Sequence, residues 1–157
     1  MINIEYNDSQ VMSALNELMR RMGDLTPVMR DIAGVMEDAT ERAFDNEQDP
    51  ESGLAWHPLM ASTVAMRGGN AHPILQNSGQ LAGSIVSAYG ADFAQIGSAE
   101  IGSNKKYAAM HQFGGTTASN SMIPGKDIPA RPFLGLGDDD QDEILTILNS
   151  YLASAIP

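Results

Sequence analysis

Apolar residues recur at helical spacing through the first fifty residues, and this periodicity constrains the fold more than any other feature of the chain. In the first stretch they lie four, three and four positions apart, at Val11, Leu15, Leu18 and Met22. This spacing places the four side chains on one face of a helix.

A second helix is predicted to begin at Thr26, a capping residue, followed by Pro27 at the first helical position. It is expected to end by about Glu47. Its apolar stripe consists of Val28, Ile32, Val35, Ala39 and Ala43, with Phe44 beside it. The rest of its surface carries Asp31, Glu37, Asp38, Glu41 and Asp45. We expect these acidic faces to be solvated or to face a partner.

The central part of the chain predicts strands. Residues 84–89 and 93–102 are expected to form an antiparallel hairpin that turns at residues 90–92. The tripeptide Ile-Gly-Ser occurs twice at an offset of five residues, which would put its isoleucines on opposite faces of a regular strand. A bulge at Gly97 would restore a common face.

A final helix is predicted from about Asp138, with Ile144, Leu148, Tyr151, Leu152 and Ala155 on its apolar face. The order of elements predicts an α+β fold, with N-terminal helices and a C-terminal helix packed on a small antiparallel sheet. We expect one domain over residues 1–157, with flexible loops at 66–73 and 116–122.

The charge balance argues against nucleic-acid binding. Twenty acidic residues against nine basic ones give a net charge of −11, and the basic residues are scattered apart from the pairs Arg20-Arg21 and Lys105-Lys106. Binding to phosphates needs clustered cations, so we expect no sequence-specific nucleic-acid binding. The first residues lack the pattern of a signal peptide and no apolar run is long enough to span a bilayer, so we expect synthesis in the cytoplasm and no membrane partner.

Residues 102–115 gather a histidine, a glutamine and two aromatic residues, which suggests an active site. A catalytic His111 needs a nucleophile within reach and a group that orients the ring, and the chain has no G-x-S-x-G motif. The favoured interpretation is a packing and hydrogen-bonding corner formed by Tyr107, His111, Gln112 and Phe113, with no catalytic residue.

Metal sites are not expected either. The three histidines do not fall into H-E-x-x-H or a comparable spacing. A calcium loop beginning at Asp138 would need glycine at its sixth position and glutamate at its twelfth, but these are Glu143 and Asn149. The acidic run instead complements the positive end of a helix dipole. We therefore predict no metal and no cofactor.

Three further residues are candidates for an architectural or interface role. Trp56, the only tryptophan, is expected to fill the end of the core. Arg131 lies between two prolines on stiff extended backbone, which suits a permanent salt bridge to a carboxylate, within the chain or across a subunit interface. Phe133 follows in the same segment.

Four blocks carry a family pattern, and they are Pro50…Gly53…Trp56…Leu59…Thr63, Ile74-Leu75…Ser78-Gly79-Gln80-Leu81…Ser84, Ile101-Gly102-Ser103-Asn104…Tyr107-Ala108…His111-Gln112-Phe113-Gly114 and Ile128-Pro129-Ala130-Arg131-Pro132-Phe133-Leu134-Gly135. In this order they resemble the phage virion morphogenesis family, which includes tail completion proteins of Mu-like and related tailed phages. The last two blocks are specific, because their spacing and composition rarely occur together by chance.

The resemblance implies a structural protein without enzymatic activity, located in the virion at the neck and assembled in the host cytoplasm. It implies a homo-oligomer, a hexameric ring that contacts the tail tube and the head connector, and thus a tail completion, tail terminator or head–tail joining protein. In such a ring, the acidic faces at Glu37, Asp38 and Glu41 would line a channel through which DNA passes. Two alternatives stay open: a transient capsid or tail assembly factor absent from the mature virion, and a small hydrolase that uses His111.

Overall fold

The computed structural model describes residues 9–98 and 107–154, and five helices and two small antiparallel sheets lie in this part of the chain. The helices are α1 (Ser9–Met22), α2 (Thr26–Asn46), α3 (Ala61–Met66), α4 (Tyr107–Phe113) and α5 (Asp138–Ala153). The strands are β1 (Ile85–Tyr89), β2 (Ala94–Ser98), β3 (Gly115–Thr116) and β4 (Asp127–Ile128). The fold is α+β, as the sequence predicts.

Helix α2 is the central element, and its ends lie close to the predicted positions. The acceptor at its start comes from Asp24 rather than from Thr26: the Asp24 carboxylate accepts hydrogen bonds from the N–H (3.0 Å) and the hydroxyl (2.6 Å) of Thr26. Both bonds lower the pKa of Asp24. The helix ends at Glu47, which is left-handed (φ 54°). Every residue of the predicted apolar stripe is buried.

Strands β1 and β2 form the predicted hairpin, and α2 packs against both. The hairpin closes through a hydrogen bond from the Gly90 N–H to the Phe93 carbonyl (2.8 Å). The pairing is regular from Tyr89 opposite Ala94 to Val86 opposite Gly97, so the predicted bulge at Gly97 is wrong. The remainder of the predicted second strand, residues 99–102, lies outside the described residues.

The second sheet was not predicted. Gly115 pairs with Ile128 and Thr116 with Asp127, so β3 and β4 form a short hairpin across the loop that the sequence indicates only as polar. Two-residue strands are too short to produce an alternating pattern. The loop between them is held by Thr117, whose N–H and hydroxyl oxygen bond the main chain of Lys126 (2.9 Å each).

The core lies beside the C-terminal half of α2. Its buried residues come from α2, from α4 and from the loops between the elements, and they are Ala43, Phe44, Trp56, Ile74, Leu81, Ala108 and Phe133. Trp56 is thus a buried member of this core.

Helix α5 packs on α2 and begins with a buried carboxylate. Asp140 accepts a hydrogen bond from the Gly137 N–H (3.0 Å) and pairs with Arg42 of α2. This satisfies one free N–H at the helix start and places negative charge at the positive end of the dipole. The acidic run at residues 138–143 therefore has a structural use.

The loop at residues 66–73 is tied back to the end of α2. Glu47 accepts a hydrogen bond from the Ile74 N–H (2.6 Å) and contacts His72 Nδ1 (2.5 Å), while Arg67 donates to the Pro73 carbonyl (2.9 Å). The flexibility expected of residues 66–73 and 116–122 stays a prediction.

Helix α1 carries the predicted apolar stripe, but its described part is largely uncovered. Of the predicted stripe, Leu15 and Met22 are 49% and 61% exposed and Leu18 is half-buried; Met19, beside the stripe, is 71% exposed. Within the part of the chain that the structure describes, no helix is both long enough and apolar enough to cross a bilayer.

Candidate functional site

Helix α4 and the extended segment 128–134, here called the proline arm, form the candidate site. The helix ends at Gly114, which is left-handed (φ 72°), and the chain then turns into β3. A Cβ atom at Gly114 would lie 2.8 Å from the Ala130 nitrogen. Only glycine fits this close approach without moving the backbone of the arm.

Gln112 binds the proline arm in place of a neighbouring strand. Its side-chain oxygen accepts hydrogen bonds from the N–H groups of Phe133 and Leu134 (3.0 Å each), and its side-chain nitrogen donates to the Leu134 carbonyl (2.9 Å). The main chain adds a fourth bond, from the Arg131 N–H to the His111 carbonyl (2.6 Å). One helical turn therefore fixes the position and register of the arm.

Aromatic contacts anchor the arm to the core. Phe133 is fully buried (0% exposed), and its ring lies 5.4 Å from that of Phe44. Phe44 also contacts Trp56 edge-on, with ring centroids 5.6 Å apart. The Trp56 indole N–H donates to the Pro132 carbonyl (2.6 Å), so the tryptophan satisfies its polar group while it packs.

Arg131 is buried but does not form the salt bridge that we expected within the described part of the chain. Its guanidinium donates to the carbonyls of His57 (2.7 Å) and Pro58 (2.9 Å). Burial lowers the pKa of Arg131. The planar guanidinium joins two chain segments through carbonyl oxygens, and main-chain acceptors have no sequence signal.

His111 lies beneath Tyr107, with the two rings edge to face and their centroids 6.4 Å apart. Burial lowers the pKa of His111, and the nearby positive charge of Arg131 lowers it further. Both effects favour the neutral form of the ring. Its Nδ1 atom and the Tyr107 hydroxyl are both buried without a hydrogen-bond partner among the described residues. The side chain of His111 packs against the Tyr107 ring, and a hydrogen bond from it stays a prediction.

A cavity of about 620 Å³ opens beside these two rings. Its apolar walls include Leu59, Leu75 and Leu81, and Arg67 lies at its edge. The volume is typical of a ligand or peptide pocket. His111 Nδ1 and the Tyr107 hydroxyl, the two polar atoms without partners, thus lie beside an accessible apolar cavity.

Phe113 lies apart from this cluster. It is 77% exposed, because it follows His111 by two positions and residues two apart do not share a helix face. The structure therefore links Trp56, Gln112, Arg131 and Phe133 through the main chain of the arm. It places Tyr107 and His111 at the cavity and leaves Phe113 on the surface.

The arrangement offers little for acid–base or metal chemistry in the described residues. The neutral His111 ring has no nucleophile bonded to it there. Within residues 9–98 and 107–154, no three His, Asp or Glu side chains lie close enough together to hold a metal ion.

The sequence interpretation missed the acceptors that hold the site. The carbonyls of His57, Pro58 and Pro132 bind Arg131 and Trp56. No residue type marks a carbonyl as an acceptor, and the prolines at these positions indicate only that the backbone is extended or turning there.

The model of the phage virion morphogenesis family matches residues 6–153 of the chain. This range covers all the elements of the described fold. No solved structure matches the chain significantly.

Three relatives align over nearly the whole chain. The putative capsid assembly protein G of Escherichia phage Mu is 33% identical, and the alignment covers 99% of this chain and 96% of the relative. The Mu-like prophage FluMu G protein 2 of Haemophilus influenzae is 36% identical, with 96% of each chain covered. The FluMu G protein 1 of the same organism is also 36% identical, with 97% and 95% covered. The family and phage Mu names describe virion morphogenesis and capsid assembly.

Proposed function

Because the chain belongs to the phage virion morphogenesis family, we propose that it is a structural assembly protein of the phage neck, a ring-forming tail completion, tail terminator or head–tail joining protein. The observation that carries this proposal is the match of the family over residues 6–153. We propose that the protein is not an enzyme.

The geometry of the candidate site supports a structural role. Gln112, Arg131 and Trp56 all hydrogen-bond main-chain groups, so they hold the proline arm and the adjoining loops in one arrangement. His111 is neutral and has no bonded partner for its side chain in the described part. Such residues fix the shape of a subunit, which repeated contacts in an assembly require.

In the proposed mechanism, subunits bury apolar surface against one another and close into a ring, which we take to be a hexamer. One face of the ring contacts the tail tube and the other contacts the head connector. The net charge of −11 repels DNA, so that DNA passes through the opening without binding.

The test is a phage that lacks this gene, viewed by negative-stain electron microscopy. Separate full heads and finished tails are expected if the protein joins heads to tails. Over-long tails are expected if it terminates the tube. Normal particles would contradict the proposal.

A second candidate function has support from the name of the phage Mu relative, a putative capsid assembly protein. In this function the chain assists assembly of the capsid or tail and leaves before the virion is complete. Mass spectrometry of purified virions distinguishes the two, because a neck protein remains in the particle and a transient factor is absent from it.

A further inference from the structure

Helix α1 presents an amphipathic face that the described part of the chain does not cover. Leu15, Leu18, Met19 and Met22 are spaced i, i+3, i+4 and i+7, and thus form one stripe. Three of the four are largely exposed. An isolated helix of 14 residues is marginal in water, and the packing of its apolar face normally stabilises it.

The described contacts hold α1 mainly at its C-terminal end. Arg21 donates to Ser154 Oγ (2.5 Å) and lies over the ring of Tyr151, 5.5 Å from its centroid. The Tyr151 hydroxyl donates to the Asp24 carbonyl (3.1 Å). These contacts orient the helix but leave Leu15, Met19 and Met22 of its stripe exposed, while Leu18 is half-buried.

A groove of about 580 Å³, here called the acidic groove, lies between α2, β1 and α5. Its accessible apolar lining residues are Tyr89 and Ile147, since Ala33 and Val35 at its floor are buried. Its charged lining residues are Asp31, Glu37, Asp38 and Glu143, with one cation, Arg30. No described residue of α1 lines it, so α1 does not occupy the groove of its own chain.

The charge of α1 is opposite to that of the groove. Within residues 9–22 it has one acid, Glu17, and two bases, Arg20 and Arg21. The two arginines lower the pKa of Glu17 to about 2. The Arg20 side chain is nonetheless exposed, and exposed ion pairs contribute little. Arg20 can therefore exchange Glu17 for a carboxylate on another surface.

We propose that α1 of one copy lies in the acidic groove of a second copy. The apolar stripe contacts the apolar lining, and Arg20 faces the carboxylates of Glu37 and Asp38. An amphipathic helix in a groove is a recurring mode of recognition. Complementary charge selects this face, since two copies of net charge −11 repel each other elsewhere.

The contact joins two different surfaces of the same chain. Such a head-to-tail interface generates a closed ring when its rotation closes. The inference rests on the proposed function, because the proposed ring sets the number of copies. It assigns Glu37 and Asp38 to a contact between subunits instead of a DNA channel.

Cysteine pairing tests the geometry directly, because the chain has no cysteine of its own. Chains with Met19→Cys are mixed with chains with Glu143→Cys under mild oxidation. The control mixture replaces the second chain by Asp127→Cys, at an exposed residue of β4. We expect the 19–143 disulfide to form at least about tenfold faster than the 19–127 disulfide. Equal rates would overturn the proposal.

The double variant Met19→Cys/Glu143→Cys tests whether α1 binds the acidic groove of its own chain or that of a second copy. Disulfide-linked multimers are expected if α1 reaches a second copy. A monomer with an internal disulfide would show that α1 occupies its own groove, and would overturn the proposal.

Sedimentation of the full chain over a range of concentrations tests the energetics. Met19→Glu places a charge in the stripe and is expected to weaken self-association at least about tenfold. The matched control is Ser13→Glu, on the polar face of the same helix and exposed, with an expected change of less than about twofold. Unchanged circular dichroism shows that both variants fold.

Three results would contradict the proposal. The wild-type chain could stay monomeric at every concentration, or Met19→Glu and Ser13→Glu could have equal effects on self-association. The third is a monomeric chain whose Met19→Glu variant instead loses binding to purified tail tube protein.

The phage assay is independent of these measurements. If Met19→Glu abolishes self-association but gene deletion leaves particles normal, the inference stands and the proposed function fails. If deletion disrupts the neck but Met19→Glu chains associate normally, the inference fails and the function stands.

Discussion

The proline arm and helix α1 differ in how far the subunit itself covers their apolar and polar groups. Both are short segments with apolar side chains, and both lie against another helix. In the arm, the N–H groups of Arg131, Phe133 and Leu134 are bound and Phe133 is completely buried, whereas α1 is attached at one end and exposes Met19 and Met22.

The difference separates what one chain completes alone from what it offers to a neighbour. The arm needs nothing further, because each contact is made within the subunit. Helix α1 has an apolar face whose burial would stabilise it further. The two regions should therefore respond differently to substitution in the monomer and in the assembly.

The largest effect is expected from Phe133→Ala. It leaves a cavity in the core and should lower the free energy of unfolding by about 3–5 kcal/mol. The measurement is urea unfolding of dilute protein. Phe113→Ala, at the exposed end of α4, should change it by no more than about 0.5 kcal/mol, and equal losses would break the distinction between buried and surface aromatics.

Gln112→Ala is expected to cost about 2–3 kcal/mol in the same urea experiment. It removes the acceptor for the N–H groups of Phe133 and Leu134, and buried donors without partners are costly. Gln141→Ala serves as its control, since this exposed side chain makes a single longer bond of 3.3 Å. Similar losses for the two glutamines would show that the arm is not held by Gln112.

A smaller effect concerns pH. Burial, then Arg131, lowers the pKa of His111 in the folded chain below that of the unfolded chain. The unfolded state therefore binds a proton first, and stability should fall as the pH decreases through about 6.5. In His111→Gln the loss between pH 7 and pH 5 should be smaller, as measured by urea unfolding at each pH. An identical pH profile would mean that the ring is solvated.

The smallest effect in the monomer is expected from Met19→Ser. Because the side chain is mostly exposed, the free energy of unfolding of the dilute chain should change by less than about 0.5 kcal/mol. Val28→Ala, in the buried stripe of α2, should cost about 1–2.5 kcal/mol in the same assay. A large loss in the free energy of unfolding of the dilute Met19→Ser chain would contradict the comparison, because it would show that α1 already packs within its own chain.

The helices were the most predictable part of the fold. The stripe of α2 from Val28 to Phe44 follows the helical period, and Thr26, Pro27 and Glu47 lie at its observed ends. The hairpin of β1 and β2 was also predictable. The pair β3 and β4 was not, because each strand has two residues and the pairing depends on the glycine turn after α4.

The residues of the candidate site were predictable from the sequence, but their hydrogen-bond partners were not. The sequence indicated Gln112 as part of a hydrogen-bonding corner and Trp56 as a core residue, yet only the fold shows that both bind main-chain groups. Arg131 illustrates the limit: stiff flanking prolines indicated a fixed guanidinium, while its partners turned out to be carbonyls. Exposure of the α1 stripe was also beyond prediction, since periodicity identifies an apolar face but not what covers it.

The way in which Gln112 binds the arm also limits misassembly. An extended segment normally offers free N–H groups onto which another chain can add as a strand, a common origin of aggregation. In the arm, Pro129 and Pro132 have no N–H, and those of Arg131, Phe133 and Leu134 are already bound. The arm thus keeps most of its N–H groups unavailable to an added strand.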